Sequence, residues 1–290
     1  MHPAPSVIIF TTFSGLGFGL LFWLGVGALV PGGLSAFIWF TIAYVAAVGG
    51  LLASTFHLGH PERAIKAFSQ WQTSWLSREG IAAVATLLIM AFYGAGLVFG
   101  GTRFAALGWL GAVGALTTIF TTAMIYAQLR TVPRWHHWTT PALFLTLSLG
   151  GGALLGGQVS ETIGLLALAG GLQLYAWAMG DKRFQRSGTD MDTATGLGHI
   201  GKVRAFEPPH TGTNYLMREF IHVVGRRHAV QLRAIALGLG FVLPVVLLLL
   251  PFSHIFAVFA VFSHIAGVLV VRWLFFAQAE HVVGLYYGKR

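Results

Sequence analysis

The sequence predicts an all-α integral membrane protein, a bundle of eight transmembrane helices in a single membrane domain covering residues 1–290. Two observations on composition lead there: 56% of the 290 residues are hydrophobic and only 9% are charged, whereas soluble domains carry about a quarter charged residues. The third observation is a series of apolar runs, each near the roughly 20 residues that a spanning helix needs. Backbone polar groups in lipid must bond within their own segment, so these runs should be helical.

Eight apolar runs follow one another along the chain, and the fifth and sixth are the shortest. They cover residues 7–30, 35–57, 76–100, 105–129, 140–158, 161–180, 231–251 and 254–279. Glycines are frequent in them, as at Gly17 and Gly19 in the first run and Gly150 to Gly152 in the fifth. Small residues let helix backbones approach closely. We therefore expect tight helix packing at these glycines, in preference to ligand access between the backbones.

The distribution of basic residues predicts the orientation in the membrane. With eight spans, both termini and the second, fourth and sixth connections share one side, which carries all eighteen Lys and Arg residues except Arg103 and Arg272. Basic residues in short loops stay in the cytoplasm. We therefore predict a cell inner-membrane protein with both termini cytoplasmic. The net charge of +9 then reflects topology and contact with anionic membrane lipids, and nucleic acid is not an expected partner.

One large cytoplasmic loop, residues 181–230, is predicted between the sixth and seventh helices. It is polar and rich in glycine at first, without the glycine pattern of a phosphate-binding loop. An amphipathic helix is expected near residues 214–227. Such a helix could lie flat in the membrane interface or dock a soluble partner, and the residues leave both interpretations open.

Charged and aromatic residues concentrate in the second connection, residues 57–79, between two apolar runs. His57 ends the second run, and histidine suits the proton-coupled chemistry of a quinone because it titrates near neutral pH. A histidine that only snorkels or caps the helix is the alternative. Ser77 is a candidate N-cap of the third helix. Glu79 is a candidate proton donor or acceptor, although the helix dipole alone also favours an acid in a first turn.

Further residues near the same surface complete a candidate quinone site. Arg63 or Arg78 could hold charge beside the headgroup, whereas Trp75 is most simply an interface anchor. Tyr126 lies about one turn inside the membrane end of the fourth run, where it could reach a ring carbonyl or belong to the aromatic belt, and Arg130 follows it. The predicted catalytic residues are His57 and Glu79, and the predicted quinone-binding residues are His57, Arg63, Trp75, Ser77, Arg78, Glu79, Tyr126 and Arg130.

No metal site is predicted. The chain has no cysteine, which excludes thiolate chemistry and cysteine-held iron–sulfur clusters. His264 lies near mid-membrane and is the one suspect for a haem ligand, but no clean set of facing histidine pairs accompanies it, so a buried hydrogen-bonded histidine is the preferred interpretation. Arg272 lies roughly 10 Å from the cytoplasmic end of the last run. It could snorkel to the surface or pair with Glu280.

Several short motifs, in order along nearly the whole chain, resemble the membrane anchor subunits of the dimethyl sulfoxide reductase family. They are His57-Leu58-Gly59, Pro61, Arg63-Ala64, Ser74 to Glu79, Thr131-Val132-Pro133 with Trp135, and Thr140-Pro141. The opening is most similar to the branch that anchors cytoplasmic membrane-bound sulfite dehydrogenase (quinone). Its residues are His2-Pro3-Ala4, Ser6-Val7-Ile8 and Phe10-Thr11-Thr12.

The resemblance implies a complex of three subunits with its catalytic partners on the cytoplasmic face. A molybdopterin catalytic subunit would exchange electrons, through an iron–sulfur subunit, with ubiquinone or menaquinone in the anchor. The family associates quinol binding with a histidine and a glutamate that correspond to His57 and Glu79, and its anchors are generally considered haem-free. Its sulfite branch reduces quinone, whereas its reductase branch oxidises menaquinol.

Four functions follow as alternatives. The first is an anchor that passes electrons from sulfite oxidation to quinone. The second is the quinol-oxidising anchor of a dimethyl sulfoxide or related reductase. A secondary transporter, from a different class, would place charged residues and broken helices at mid-membrane, whereas the charges here gather at one surface. A purely structural anchor without quinone chemistry would tolerate replacement of His57 and Glu79.

Overall fold

The computed structural model describes residues 1–56, 60–207, 209–221 and 228–288, and this part of the chain folds into helices without strands. Two 3₁₀ helices, Pro61–Gln70 and Val282–Tyr287, lie outside the apolar runs. The α-helices are α1 Pro5–Val26, α2 Gly33–Thr55, α3 Trp75–Phe99, α4 Ala105–Ala127, α5 Thr139–Leu155, α6 Val159–Gly180, α7 Arg183–Arg186, α8 Met191–Thr195, α9 Tyr215–Phe220, α10 Ala229–Leu249 and α11 His254–Ala277.

An apolar helix occupies each of the eight predicted runs, and seven of these helices are long and apolar enough to cross a membrane. The exception is α5, which has 17 residues. At about 1.5 Å per residue it is several ångströms shorter than the roughly 30 Å hydrocarbon core. The all-helical membrane fold is therefore confirmed, while the count of eight spans and the cytoplasmic position of the termini stay predictions.

The first helix lies at the centre of the bundle, in contact with α2, α4 and α5. Its glycines make these contacts close. A β-carbon added at Gly17 would meet the backbone of Ala43 and Ala47 in α2, and one added at Gly19 would meet the backbone of Ser148 and Gly152 in α5. The prediction of tight helix packing through glycine is confirmed at these positions.

Both ends of the described chain and parts of the large loop meet at one end of the bundle. The amino group of Met1 donates to the carbonyl of Ala279 over 2.8 Å, and the hydroxyl of Tyr286 donates to the carbonyl of Ala194 over 2.8 Å. Further bonds at this end join His2 to Glu219 and Val282 to Thr131 through the backbone, and Asn214 to Tyr287 through the side chains.

The amphipathic helix expected near residues 214–227 is described only in part. Helix α9 begins after the N-cap Asn214, whose side chain accepts from the amide of Met217, and it ends at Phe220 because Ile221 has an extended backbone. Residues 222–227 lie outside the described part of the chain. The helical segment that the structure describes is therefore shorter than expected.

Candidate functional site

An open-sided groove of about 500 Å³ lies between the end of α2, the first 3₁₀ helix and the start of α3. We call it the Glu79 groove. Its lining is mostly apolar, with one buried carboxyl on α3 and two basic side chains from the 3₁₀ helix and the residue before it. The lining residues are Leu51, Ser54, Thr55, His60, Arg63, Ala64, Ala67, Phe68, Leu76, Glu79, Gly80, Ala83 and Val84.

Glu79 is held inside the bundle, with 5% of its surface exposed. Its position follows from where α3 begins. Ser74 is the N-cap and accepts from the amide of Ser77 over 3.5 Å, so the prediction of Ser77 as the N-cap is wrong. Glu79 is the fifth helical residue, and no acidic residue occupies the first turn of α3. The helix dipole, which acts mainly over the first turn, therefore does not account for this acid.

One hydroxyl across the interface with α4 reaches the Glu79 carboxyl. The Thr122 hydroxyl oxygen lies 3.3 Å from Oε1 of Glu79 and 2.9 Å from the carbonyl oxygen of Thr118. A hydroxyl has one proton to donate and can still accept. Thr122 can therefore donate to an ionised Glu79, or donate to Thr118 and accept from a protonated Glu79. This carboxyl can therefore make one hydrogen bond with Thr122 in either protonation state.

The 3₁₀ helix forms the rim of the groove and is fastened to α3. The Ser77 hydroxyl donates to the carbonyl of Ala67. At the exposed rim, Nδ1 of His60 lies 2.9 Å from the carboxylate of Glu62, and Nε of Arg63 lies 4.0 Å from the same carboxylate. Exposed pairs of this kind add little stability, so we interpret them as a polar border to an apolar groove.

Two predicted quinone-binding residues of the second connection, Trp75 and Arg78, lie outside the Glu79 groove. The Arg78 guanidinium donates to the carbonyls of Trp71 and Gln72 over 2.8 and 2.6 Å, and it lies 4.5 Å from the ring centroid of Trp75. Trp75 also packs edge-on against Phe120 of α4. Neither Arg78 nor Trp75 lines the Glu79 groove. Both instead fix the start of α3.

Tyr126 and Arg130 also lie away from the groove lining. Tyr126 is buried in an aromatic cluster, with ring centroids 5.3 Å from Trp135 and 5.5 Å from Phe276. Arg130 is exposed after the end of α4. His57 lies outside the described residues, although Thr55 and His60, on either side of the gap, both line the groove. The roles predicted for these three residues stay predictions.

His264 is buried, and its surroundings do not suit a haem. Its Nδ1 donates to the carbonyl of Gly240 over 2.7 Å, in the π-helical segment Gly238–Val242 of α10. The cavity beside the imidazole is about 10 Å³, far too small for a porphyrin. No group of three or more His, Cys, Asp or Glu side chains is placed to hold a metal ion within the described ranges. A hydrogen-bonded core histidine fits this geometry.

The sequence reasoning missed Thr122 and the groove wall on α2. The spacing of Thr118 and Thr122 could have indicated a polar contact, because residues four apart share one face of α4. The facing helix could not be identified from that spacing. Ser54 and Thr55 gave no signal, since polar residues at a helix end near the interface are common.

Comparison with known proteins gives two results. A family profile described as DMSO reductase anchor subunit (DmsC) matches residues 1–168. The chain is also 34% identical to a protein from Allochromatium vinosum that is named as a sulfite dehydrogenase subunit, over 99% of both chains. No solved structure matches.

Proposed function

The chain belongs to the DMSO reductase anchor subunit (DmsC) family, and we propose that it is the quinone-reactive membrane anchor of a molybdenum oxidoreductase with three subunits. The family and seven apolar helices of spanning length make it a multi-pass membrane protein. The observation that carries the proposal is the buried Glu79 carboxyl in the wall of an open-sided apolar groove. Ionisable groups at membrane depth are costly and mark functional sites.

The groove suits a quinone headgroup in size and in lining. Its volume of about 500 Å³ lies within the range of sites for small organic ligands, roughly 300–1,000 Å³. Exposed apolar residues at its edge, Leu76 and Val84, offer an apolar path for an isoprenoid tail. Arg63 and His60 at the rim supply hydrogen-bond donors near the membrane surface.

We propose that electrons flow from sulfite to quinone. Two electrons from sulfite oxidation reach the groove through the iron–sulfur partner, and two protons complete the conversion of quinone to quinol. Glu79 donates one proton, with Thr122 satisfying the carboxyl before and after transfer, and His57 is the proposed donor of the other. Protons return to both from the cytoplasm. Similarity to a sulfite dehydrogenase subunit supports this direction over quinol oxidation.

The catalytic and iron–sulfur partners are proposed to dock on the cytoplasmic face. The positive-inside rule supports that orientation, and the chain lacks the cysteines that would hold an iron–sulfur cluster. The large loop, residues 181–230, and the rim of the Glu79 groove are the polar surfaces available to them.

The test is Glu79→Gln in the complex purified with its partners. We expect sulfite-dependent reduction of a short-chain ubiquinone analogue to fall roughly 100-fold, because general acid catalysis is worth about 10²–10⁴-fold. Reduction of a soluble dye by the partner subunits should persist, which separates the quinone site from the rest of the complex. His57→Ala tests the second proton donor in the same assay.

The matched control is Glu161→Gln, which removes an exposed acid near the start of α6 and should leave quinone turnover within twofold. An assembled Glu79→Gln complex that reduces quinone at the wild-type rate would contradict the proposed site. A chain that purifies without partner subunits would contradict the anchor function itself.

A further inference from the structure

A second buried ionisable residue, Arg272 of α11, is not explained by the quinone site. Only 2% of its surface is exposed, so the prediction that it snorkels to the surface is wrong. Its guanidinium carbon lies 3.6 Å from the ring centroid of Phe144. Its Nε has no hydrogen-bond partner among the described protein atoms.

Asp181, which follows the last residue of α6, is paired with other cations. Asp181 accepts from Arg134 over 2.7 Å and from both terminal nitrogens of Arg233 over 2.7 and 2.8 Å. Glu280, the alternative partner considered for Arg272, has contacts of its own and lines neither cavity beside Arg272. Burying a cation without a counter-charge costs several kcal/mol even after relaxation. The buried Arg272 guanidinium should therefore be stabilised by a negative charge beside it, and the described side chains supply none.

Arg272 lines two cavities. The larger, about 40 Å³, lies between α5, α6 and α11, and we call it the Arg272 cavity. Its lining includes the side-chain amides of Gln173 and Gln278, which are 6% and 4% exposed; the structure gives neither amide a hydrogen-bond partner among the described residues. No acidic side chain is part of the described lining. The charged residues of this lining, Arg134 and Arg272, are both cations.

The smaller cavity, about 10 Å³, is lined by Thr12, His264 and Arg272. A carbonyl can only accept, so Nδ1 of His264 carries the proton given to Gly240, and the unpartnered Nε2 of the neutral ring is an acceptor. A water needs roughly 10–15 Å³. One water, donating to Nε2 and accepting from Nε of Arg272, therefore suffices in this cavity.

Size decides what the larger cavity can hold. Its volume of about 40 Å³ equals the space of roughly three waters and is far below the volume that a quinone ring needs. Guanidinium and amide N–H groups are donors that bind anions. We propose that the Arg272 cavity is a binding site for one small inorganic anion, of the size of a halide, held by Arg272, Gln173 and Gln278.

The experiment uses the purified complex in detergent, with chloride as the probe and gluconate, which is too large for the cavity, as the replacement anion. The unfolding temperature should rise with chloride concentration as the site fills, by roughly 5 °C when chloride is at a hundred times its dissociation constant. Crystals or grids prepared with bromide should show one halide beside Arg272. Equal unfolding temperatures in both salts, or density explained by water alone, would overturn the proposal.

Variants separate the site from general salt effects. Arg272→Gln should abolish the chloride-dependent shift. Gln173→Leu should weaken chloride binding about tenfold. Because this second variant keeps the buried cation, it tests the site even if Arg272→Gln fails to fold. Arg78→Gln is the control and should retain the full shift, because it removes a cation that bonds to loop carbonyls and is not part of the cavity lining. A chloride shift that survives Gln173→Leu unchanged would contradict the assigned ligands.

Discussion

Glu79 and Arg272 are both buried ionisable residues of membrane helices, 5% and 2% exposed, but their surroundings differ. Glu79 faces an open-sided groove of about 500 Å³ and has a threonine hydroxyl that serves both of its protonation states. Arg272 faces a much smaller cavity of about 40 Å³, whose described lining holds no acid. The first site is proposed to exchange a quinone with the lipid, and the second to hold one small anion.

The difference shows that burial alone does not indicate which chemistry an ionisable residue serves. A carboxyl can be neutralised by a proton, so its burial beside a groove suits proton transfer. A guanidinium stays protonated in proteins, so its burial calls for a counter-charge. Variants of the residues around each site test this distinction.

The largest effect is expected at Thr122. Thr122→Val keeps the shape of the side chain and removes the hydroxyl 3.3 Å from Glu79. A hydrogen bond to a charged group is worth about 1.5–3 kcal/mol, so quinone turnover should fall about tenfold or more in steady-state assays. Thr117→Val is the control, because its exposed hydroxyl bonds only within α4. Equal turnover in the two variants would mean that Glu79 acts without this partner.

An intermediate effect is expected when the groove is filled. Ala64→Trp places an indole in the groove lining and should raise the apparent KM for quinone about fivefold while kcat changes less. Ile65→Trp, the control, adds a ring at the next residue, which is 82% exposed and outside the lining. If both variants leave the KM for quinone unchanged, the quinone does not bind in this groove.

The smallest effect concerns Asp181, which clamps Arg134 at the edge of the Arg272 cavity. Burial raises the pKa of Asp181, but hydrogen bonds from Arg233 and Arg134 outweigh it and lower the pKa to about 2. Because the side chain is 46% exposed, solvent screening reduces the stabilisation to about 1 kcal/mol. Asp181→Asn should therefore lower the unfolding temperature by about 2 °C near pH 7.

The pH dependence of that difference follows from the direction of the shift. A carboxyl whose pKa is lower in the folded state stabilises the protein above its unfolded pKa, near 3.9, and the stabilisation is lost as the pH falls toward 2. The unfolding temperatures of wild type and Asp181→Asn should thus converge between about pH 4 and pH 2. A constant difference over that range would exclude this ion pair as the cause.

The sequence by itself determined the positions of the apolar helices, the close packing at Gly17 and Gly19, and the family. These properties are local, because each spanning segment must satisfy its own backbone and present about 20 apolar residues. A functional role of Glu79 was also predicted from the concentration of polar residues in one connection of an apolar chain, and it stays a prediction.

Only the tertiary structure decided which groups meet. Glu79 and Thr122 are 43 residues apart, and Arg272 lies over Phe144 from another helix instead of reaching the surface. The N-cap at Ser74, three residues before Ser77, also placed Glu79 beyond the first turn of α3. Pairings between helices depend on the rotation of each helix about its axis and on its neighbours, and a hydrophobic run leaves both undetermined because its residues are apolar on every side.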